Sequence, residues 1–238
     1  MPKPEITIII PAYNEEQVIK ASIARLADYI KKNKLDCELL IVNDASTDGT
    51  GRILASLSLP SYARVITNKI RQGKGKSISN AMLQSKGKTI IFLDADLSFG
   101  LDVIDRLLDA IKNGADIAIG SRFVMGSTIH RSFIRRFFSS VYNLLVRLFL
   151  DSNVHDHQVG SKAFKGSTVL PLLPLVKAKQ FFWDTELLIV AKRKNMKIVE
   201  VPITWWEGTQ SSINPLTTSF SMLYDMFAFR LRKNTVDN

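Results

Sequence analysis

Cysteine and histidine are scarce in this sequence, and long apolar runs are missing altogether. Cys37 is the single cysteine, so no internal disulfide can form, which fits a reducing cytoplasm. No window reaches about 18 uninterrupted apolar residues, and we therefore predict no transmembrane helix. The first residues, MPKPEITIII, lack the layout of a signal peptide, so we expect a protein that acts on the cytoplasmic side.

Several signatures of common enzymes are also missing. No G-x-S-x-G, H-E-x-x-H or G-x-G-x-x-G pattern occurs, which argues against a serine hydrolase, a zinc protease and a dinucleotide-binding enzyme. The segment 73–77, GKGKS, resembles the end of a P-loop, but Ile70 stands where that pattern needs a glycine. His155 and His157 flank an aspartate, yet the third histidine, His130, is distant in sequence. A polar turn is therefore favoured over a zinc site.

Positive charge is in clear excess. There are 32 lysine and arginine residues against 22 aspartates and glutamates, which gives a formal net charge of +10. Such a balance favours an anionic partner, either nucleic acid, anionic lipid or a phosphorylated substrate. No helix-turn-helix or aromatic RNA-binding signature accompanies the charge, so nucleic acid is the least favoured of the three.

The first half of the sequence alternates between apolar runs and stretches with helical periodicity. Predicted strands cover Glu5–Ile10, Cys37–Val42, Tyr62–Thr67, Thr89–Leu93 and Ala115–Gly120. Helices are predicted between them, with bounds at Val18–Lys31 and Leu101–Ile111 for the first and last. This alternation predicts an α/β fold with a mostly parallel, doubly wound sheet flanked by helices. The polar loops after the strands should then share one rim of the sheet.

The second half is dominated by two amphipathic segments that carry basic residues. We predict long helices at His130–Leu150 and Leu216–Arg232, with a helix at Asp184–Lys194 and an extended segment at Ile198–Trp205 between them. The first of these helices suits either a packed core or the membrane interface, and both interpretations stay open. Because no obvious soluble partner covers the two amphipathic helices, we expect peripheral attachment to a membrane surface.

The segment Thr89–Ser98, TIIFLDADLS, is the part of the chain around which we expect the site to form. Its apolar half predicts a central strand, and Asp94 and Asp96 follow at the carboxyl end, where open α/β sheets bind ligands. In extended backbone, residues i and i+2 point the same way, so both carboxylates could face one divalent cation that carries a diphosphate. The competing interpretation is a solvated turn with capping aspartates.

Several separated motifs together resemble one enzyme family. The early motifs are IIIPAYNEE at Ile8–Glu16, VNDASTDGT at Val42–Thr50, Gln72–Gly75, Asp94–Asp96 and Gly120–Arg122. In this order and spacing they resemble the inverting glycosyltransferases of family two, which have the GT-A fold. Later motifs are similar to the polyprenyl-phosphate branch of that family, nearest the dolichyl-phosphate β-glucosyltransferases and then the dolichyl-phosphate mannose synthases. These motifs are Arg131–Leu150, Asp156–Gly160, Phe164, Trp183–Leu188 and Glu200–Trp205.

The resemblance implies a donor site for a nucleotide sugar. The residues that would line the base and ribose pocket are Pro11, Tyr13, Asn14 and Glu15. Asp44 would accept hydrogen bonds from the uracil or guanine edge, and Lys74 would add a cation. Asp94 and Asp96 would hold the sugar, the ribose and a Mg²⁺ or Mn²⁺ ion at the diphosphate. Such an ion acts as a Lewis acid while the nucleoside diphosphate departs.

The same resemblance implies an acceptor site for a lipid phosphate. The arginines that match the family's acceptor-phosphate residues are Arg122 and Arg136, with Arg131 and Arg135 close by in sequence. Asp184 and Glu186 match an acidic pair that would act in catalysis by orienting the sugar or those arginines. Because the second pKa of a phosphate monoester is about 6, the acceptor is already largely ionised and needs no strong general base.

Two departures from the family pattern bear on the substrates. Ser211 and Ser212 stand where relatives often carry a lysine or arginine after a serine, so one phosphate cation is missing. Ser98 stands where mannose synthases usually carry glutamine, which favours UDP-glucose over GDP-mannose as the donor.

We therefore expect a single GT-A domain over residues 1–238, with a nucleotide-sugar half at about 1–125 and an acceptor and membrane-facing half at about 126–238. It would transfer a hexose to a polyprenyl (dolichyl) phosphate at the cytoplasmic face of a membrane. A membrane-bound module that holds nucleotide sugars without catalysis is the alternative from a different functional class.

Overall fold

One large sheet runs through the computed structural model, which describes residues 3–130, 133–206 and 215–232. Its strands from the first half are β1 (Ile6–Ala12), β2 (Cys37–Asn43), β3 (Ala63–Thr67), β4 (Thr89–Leu93) and β5 (Ile117–Ser121). The helices between and beside them are α1 (Ile19–Lys32), α2 (Thr50–Ser56), α3 (Lys74–Met82) and α4 (Val103–Lys112). The predicted α/β alternation is confirmed, and the ends of the elements differ from the predictions by a few residues.

The second half adds four strands and four α-helices within the described residues. They are β6 (Thr128–His130), α5 (Phe133–Leu150), β7 (Ser161–Lys165), α6 (Gly166–Val169), α7 (Phe182–Arg193), β8 (Ile198–Pro202), β9 (Thr204–Trp206) and α8 (Pro215–Leu231), with a 3-10 helix at Leu170–Leu175. The long amphipathic helix begins at Phe133 rather than at His130, which belongs to β6. The predicted extended segment consists of two strands, because the chain leaves the large sheet after Pro202 and pairs β9 with β6.

The strand order of the large sheet is β3-β2-β1-β4-β7-β5-β8. Neighbouring strands are parallel except for β7, which lies antiparallel between β4 and β5. Sequence analysis missed β7 because its five residues, SKAFK, place a lysine within the apolar pattern. The parallel strands end at one rim, and the antiparallel β7 begins there. Gly160 therefore lies beside Asp94, whose amide donates to the Gly160 carbonyl at 2.8 Å.

The core lies on both faces of the central strands. Every residue of β2 is buried, and so are Ile90–Leu93 of β4. On α1, the residues buried at helical spacing include Ile19, Ile23 and Leu26, so this face packs against the sheet. Full burial of such a side chain stabilises a fold by about 1.5–3 kcal/mol. The buried strands therefore provide a rigid base for the loops at the rim.

Helix α5 turns only part of its surface toward the body of the protein. Tyr142, Asn143 and Val146 are buried, and the Tyr142 hydroxyl lies 2.8 Å from Thr185 Oγ1 of α7. The exposed apolar residues of α5 are Phe137, Phe138, Val141, Leu144, Leu148 and Phe149. One face of the helix is thus packed core, while the other leaves a broad apolar surface uncovered by the described residues.

Helix α8 lies beside α5 and is divided in the same way. The rings of Phe149 and Phe227 meet edge to face, with centroids 5.8 Å apart. Met222 and Met226 are buried, whereas Tyr224 and Phe227 are exposed. Among the described residues, no helix combines the length and apolarity that crossing a bilayer requires.

A buried histidine joins α5 to the loop that precedes β7. Asn143 Oδ1 lies 2.7 Å from His157 Nδ1, and Ser152 Oγ lies 2.7 Å from His157 Nε2. Since an amide oxygen only accepts, Nδ1 carries the ring proton and Nε2 accepts from the serine hydroxyl. Burial lowers the pKa of His157 to about 3, so the neutral ring is the native form.

His157 is expected to make the folded state sensitive to mild acid. Its pKa lies below the unfolded value of about 6.5, so the unfolded chain gains its proton first and the free energy of unfolding falls as the pH drops below about 6.5. The contribution of one such group approaches about 1.4 kcal/mol per pH unit. Urea unfolding of wild type and His157→Asn at pH 7, 6 and 5 measures the effect. Other titrating groups are common to both proteins, so parallel stability curves would contradict the assignment.

Candidate active site

The two aspartates predicted to bind a cation lie at the rim, where β4 ends. Asp94 follows the strand directly, but residues 95–96 form a turn in which the Leu97 amide donates to the Asp94 carbonyl at 3.1 Å. The expectation that extended backbone would align both side chains is therefore wrong. The two acids nevertheless lie two residues apart in this turn, and burial and then the charge of Asp94 raise the pKa of Asp96.

A lysine ammonium neutralises the first of these acids. Lys74, the first residue of α3, places Nζ 2.7 Å from Asp94 Oδ1. Burial opposes the charge of this lysine, but the carboxylates of Asp94 and Asp184 outweigh burial and raise the pKa of Lys74. The Lys74 ammonium therefore occupies one oxygen of the Asp94 carboxylate in the structure.

A third carboxylate, from the loop between β1 and α1, faces the same place. Burial, followed by the charges of Asp96 and Asp94, raises the pKa of Glu15 to about 7. Its backbone is fixed by the start of α2, since the Glu15 amide donates to Thr50 Oγ1 at 2.8 Å. Within the described residues, no group of three or more acid, histidine or cysteine side chains forms a complete metal cage. A cation bound there would therefore take its remaining oxygen ligands from a bound substrate or from water.

Asp44 holds the loop that leads to Lys74. Its Oδ1 accepts from Asn68 Nδ2 and from the Gln72 amide, and its Oδ2 accepts from the Gly73 amide, each at 2.8 Å. Burial works against the charged form, but these hydrogen bonds keep the pKa of Asp44 below its usual range. Gly73 has φ +95°, and a Cβ there would lie 2.6 Å from the Lys179 carbonyl oxygen, so this position requires glycine.

The remaining residues predicted for the donor pocket lie on the same rim. Pro11 is in register with Val42 near the ends of β1 and β2. Asn14 has φ +57°, and its amide donates to Ser46 Oγ at 3.1 Å. The guanidinium of Arg71 lies 3.9 Å from the centre of the Tyr13 ring. Sequence analysis missed Arg71, since a single arginine in a polar loop gives no signal of its own.

Arg122 is fixed by Asp156, which sequence analysis placed in a family motif without assigning it a role at the site. Its Nε and Nη2 each lie 2.7 Å from an oxygen of Asp156, and its amide donates to Asp156 Oδ2 at 3.0 Å. Asp156 is fully buried, and despite burial the guanidinium holds the pKa of Asp156 below its usual range. Four residues after Asp156, the Gly160 carbonyl accepts from the Asp94 amide at 2.8 Å, so one short segment connects the aspartate that holds Arg122 with the acid at the rim.

The other predicted acceptor arginines are less well defined by the structure. Arg136 is exposed in the first turn of α5, and no contact joins it to the acids at the rim among the described residues. Arg131 lies outside the described residues, as do Ser211 and Ser212, and the side chain of Arg135 is not among those described. Arg122 is therefore the acceptor arginine that the structure brings toward Asp94.

The acidic pair on α7 is buried and engaged by protein partners. Asp184 Oδ1 lies 2.7 Å from Lys162 Nζ. Glu186 accepts from the amides of Lys177 and Ala178 at 3.1 and 2.7 Å, and from Arg232 Nη1 at 3.1 Å. These contacts fix the loop before α7 and the end of α8. The structure does not bring Glu186 into contact with Asp94 or Arg122.

Lys162 of β7 is a further residue to which sequence analysis assigned no role. It is fully buried, and its ammonium also donates to the Val159 carbonyl at 2.6 Å. The ammonium lies 5.1 Å from the centre of the Phe92 ring, while that of Lys74 lies 5.4 Å from the same ring. Two ion pairs, Asp94–Lys74 and Asp184–Lys162, thus flank one aromatic side chain. A lone lysine in an apolar run was the signal that could have revealed the second pair.

The buried pair of Lys162 and Asp184 is expected to stabilise the fold behind the site. Asp184→Asn leaves an ammonium buried without its counter-ion, and we expect the free energy of unfolding to fall by about 3–5 kcal/mol. Urea denaturation of Asp184→Asn, Lys162→Met and the double variant tests this. The double variant should lose much less than the sum of the two single losses.

The exposed pair of Lys88 and Glu5, 2.8 Å apart, is the matched control. Glu5→Gln should change the stability little, since the pair remains in solvent. Additive losses at Lys162 and Asp184 would show that the two side chains act independently, contrary to the structure.

Comparison with known proteins places this geometry in a family. The family model described as glycosyl transferase family 2 matches residues 7–167. A dolichyl-phosphate beta-glucosyltransferase of Saccharomyces cerevisiae is 30% identical over 95% of this chain and 74% of its own length. A polyprenol monophosphomannose synthase of Mycolicibacterium smegmatis is 30% identical over 87% of this chain and 79% of its own. Glycosyltransferase AglD of Haloferax volcanii is also 30% identical, but this chain spans only 33% of that protein.

Solved structures support the fold. The complex of glucosyl-3-phosphoglycerate synthase from Mycobacterium tuberculosis with UDP has a TM-score of 0.71 at 17% identity, covering 98% of this chain and 82% of that one. The complex of the same enzyme with Mn²⁺ and UDP-glucose has a TM-score of 0.70 at 17% identity, covering 95% and 79%. The resemblance drawn from the sequence motifs is confirmed. The chain belongs to glycosyl transferase family 2 and has the GT-A fold of these enzymes.

Proposed function

We propose that this protein transfers a hexose from a nucleotide sugar to a polyprenyl (dolichyl) phosphate, with inversion at the anomeric carbon. The observation that carries the proposal is the arrangement at one rim of Asp94, Asp96 and Lys74, with Arg122 held by Asp156 in the segment that leads to Gly160 beside Asp94. Acids that hold a cation beside a diphosphate, and a guanidinium that attracts a phosphate, are the two requirements of this transfer. Relatives named for dolichyl-phosphate and polyprenol-phosphate glycosyl transfer support the acceptor class.

In this proposal the rim acids receive the donor. Asp94 and Asp96 would hold a divalent cation, Mg²⁺ or Mn²⁺, with the Glu15 carboxylate beside them. Such an ion stabilises negative charge on a departing diphosphate. Lys74, which pairs with Asp94 in the structure, would contact the diphosphate. Pro11 and the Tyr13–Arg71 pair would accommodate the base and ribose, and Asp44 would keep the loop of Lys74 in position.

Arg122 would receive the acceptor phosphate. Asp156 fixes the plane of the guanidinium through two nitrogens, so the arginine is oriented before the lipid arrives. Arg136, together with Arg131 and Arg135 beside it in sequence, would add positive charge at the start of α5. The phosphate oxygen that attacks is already ionised, so these residues need only position it. Asp184 and Glu186 would support this arrangement from beneath, through Lys162 and the end of α8.

UDP-glucose is the donor that we favour over GDP-mannose. Ser98 stands where the mannose synthases usually carry glutamine, and its hydroxyl hydrogen-bonds to the Asp96 carboxylate. A serine engaged in this way orients Asp96 rather than supplying a further ligand to the cation.

We further propose that the exposed faces of α5 and α8 attach the protein to the cytoplasmic face of a membrane. Leu148 and Tyr224 are 70% and 75% exposed, and they belong to a surface of aromatic and aliphatic side chains on the two helices. Arg136 in the first turn of α5 and Arg230 in the last turn of α8 are exposed on the same two helices. An apolar surface with basic residues at its edge suits an anionic lipid interface.

Loss of one rim carboxylate should abolish transfer. Asp96→Asn keeps the size of the side chain and its contact with Ser98 but removes the charge, so we expect kcat/KM to fall by at least about a hundredfold, typical of a lost charge-stabilising group. The assay follows transfer of radiolabelled glucose or mannose from UDP-glucose or GDP-mannose to dolichyl phosphate with Mn²⁺. Glu5→Gln, distant from the rim, serves as the control. Nucleotide-sugar binding by the wild type without transfer to the lipid would instead favour a non-catalytic module.

Liposome flotation tests the membrane surface. The double variant Leu148→Gln/Phe227→Gln removes two exposed apolar side chains, and we expect its partition onto anionic liposomes to drop by at least about tenfold. Leu83→Gln is the matched control, since Leu83 is 62% exposed at the end of α3. Equal flotation of the double variant and the wild type, or no flotation of the wild type, would contradict the proposed attachment.

A further inference from the structure

The loop after Asp96 has each of three successive carbonyl groups bound by a donor. The Leu97 carbonyl accepts from Arg25 Nη1 at 3.2 Å, and the Phe99 carbonyl accepts from Arg25 Nη2 at 3.1 Å. Between them, the Ser98 carbonyl accepts from the Trp206 amide of β9 at 2.9 Å. One arginine side chain from α1 thus bridges two peptide groups of the loop that carries the acid.

The bridging geometry depends on the shape of the guanidinium. Its two terminal nitrogens are held in a rigid plane, so binding two carbonyls separated by one residue fixes the distance and the angle between those peptide groups. A lysine at position 25 could reach only one of them at a time through a flexible stem. Arg25 therefore restricts the backbone of Leu97–Phe99 in a way that charge alone would not.

The loop needs this restraint because its backbone is unfavourable at one position. Leu97 has φ +43°, in the left-handed region that a branched side chain rarely adopts. Its side chain is buried, so packing holds the side chain while the Arg25 bond holds the carbonyl. Release of that carbonyl would let the peptide group turn toward an ordinary conformation.

The position of Asp96 follows from the conformation of this loop. The Ser98 amide donates to Asp96 Oδ1 at 3.2 Å, and the Ser98 hydroxyl also bonds to this carboxylate. The Leu97 amide closes the turn onto the Asp94 carbonyl. Rotation of the Leu97 or Ser98 peptide group would therefore change the direction of the Asp96 carboxylate relative to Asp94.

We infer that Arg25 is a positioning residue for cation binding: through the carbonyls of Leu97 and Phe99 it holds the loop in the one conformation that directs Asp96 to the site. The inference rests on the proposed function, since it takes Asp94 and Asp96 as the cation ligands. Arg25 itself contacts neither acid in the structure. Its effect is on the shape of the loop, and it should appear in cation affinity before any chemical step.

The test compares Arg25→Gln and Arg25→Lys with the wild type. Amide exchange at Leu97 and Ser98, measured by NMR without metal, should be at least about threefold faster in the variants, because the closing turn opens more often. Mn²⁺ binding in the presence of UDP, measured by electron paramagnetic resonance, should weaken about three- to tenfold in Arg25→Gln, the range expected for one or two lost hydrogen bonds. Arg25→Lys should fall between Arg25→Gln and the wild type.

Arg64→Lys is the matched control. Arg64 is an exposed arginine on the edge strand β3 that donates to the Gln84 carbonyl at 3.5 Å, and its replacement should leave both measurements unchanged. Unchanged exchange in the Arg25 variants, or faster exchange with unaltered Mn²⁺ affinity, would overturn the positioning role. A wild type that binds no Mn²⁺ with UDP would overturn the proposed cation site, and the inference with it, which is a distinguishable result.

Discussion

The ion pair between Lys74 and Asp94 is the contact on which the site depends. A carboxylate and an ammonium this close to a packed interior are tolerated only when each neutralises the other. Behind them, Lys162 and Asp184 form a second pair, and the two ammonium groups lie 5.4 and 5.1 Å from the centre of the Phe92 ring. Each side chain that packs beneath the rim must therefore either carry a charge opposite to that of its neighbour or be apolar. This requirement restricts which residue types can occupy these positions.

The antiparallel strand β7 makes this arrangement possible. A parallel strand in its place would begin at the opposite edge of the sheet, whereas β7 begins at the rim, directly after Gly160. A Cβ at that position would overlap the Asp94 carboxylate, so the glycine allows the acid to lie directly against the strand. Two residues further on, Lys162 reaches inward to Asp184 of α7. The antiparallel strand β7 thus leaves space for Asp94 at Gly160 and supplies Lys162 as the counter-ion of Asp184.

Sequence patterns predicted the strands and helices that follow from local apolar periodicity. The alternation of apolar runs with helical periodicity predicted the mostly parallel sheet. The acids directly after β4 predicted that the site lies at the rim where this strand ends. The residues that they missed act through contacts between distant segments. Asp156 matters because it reaches Arg122, 34 positions away, and Arg25 because it reaches a loop more than 70 positions away. Sequence analysis left two interpretations of α5, a helix packed in the core and a helix at the membrane interface. Periodicity did not decide between them, because it identifies an amphipathic helix but does not show what covers each of its faces.

The same contacts connect the helices of the proposed membrane surface with the cation site. Arg232 at the end of α8 pairs with Glu186, and Glu186 holds the amides of Lys177 and Ala178. The backbone carbonyl of the next residue, Lys179, accepts a hydrogen bond from the Lys76 amide in the first turn of α3. The buried carboxylate of Glu186 thus connects the end of α8, through the loop before α7, with the first turn of α3. A lipid surface bound to α8 and a donor bound at Asp94 would therefore act on one continuous set of contacts.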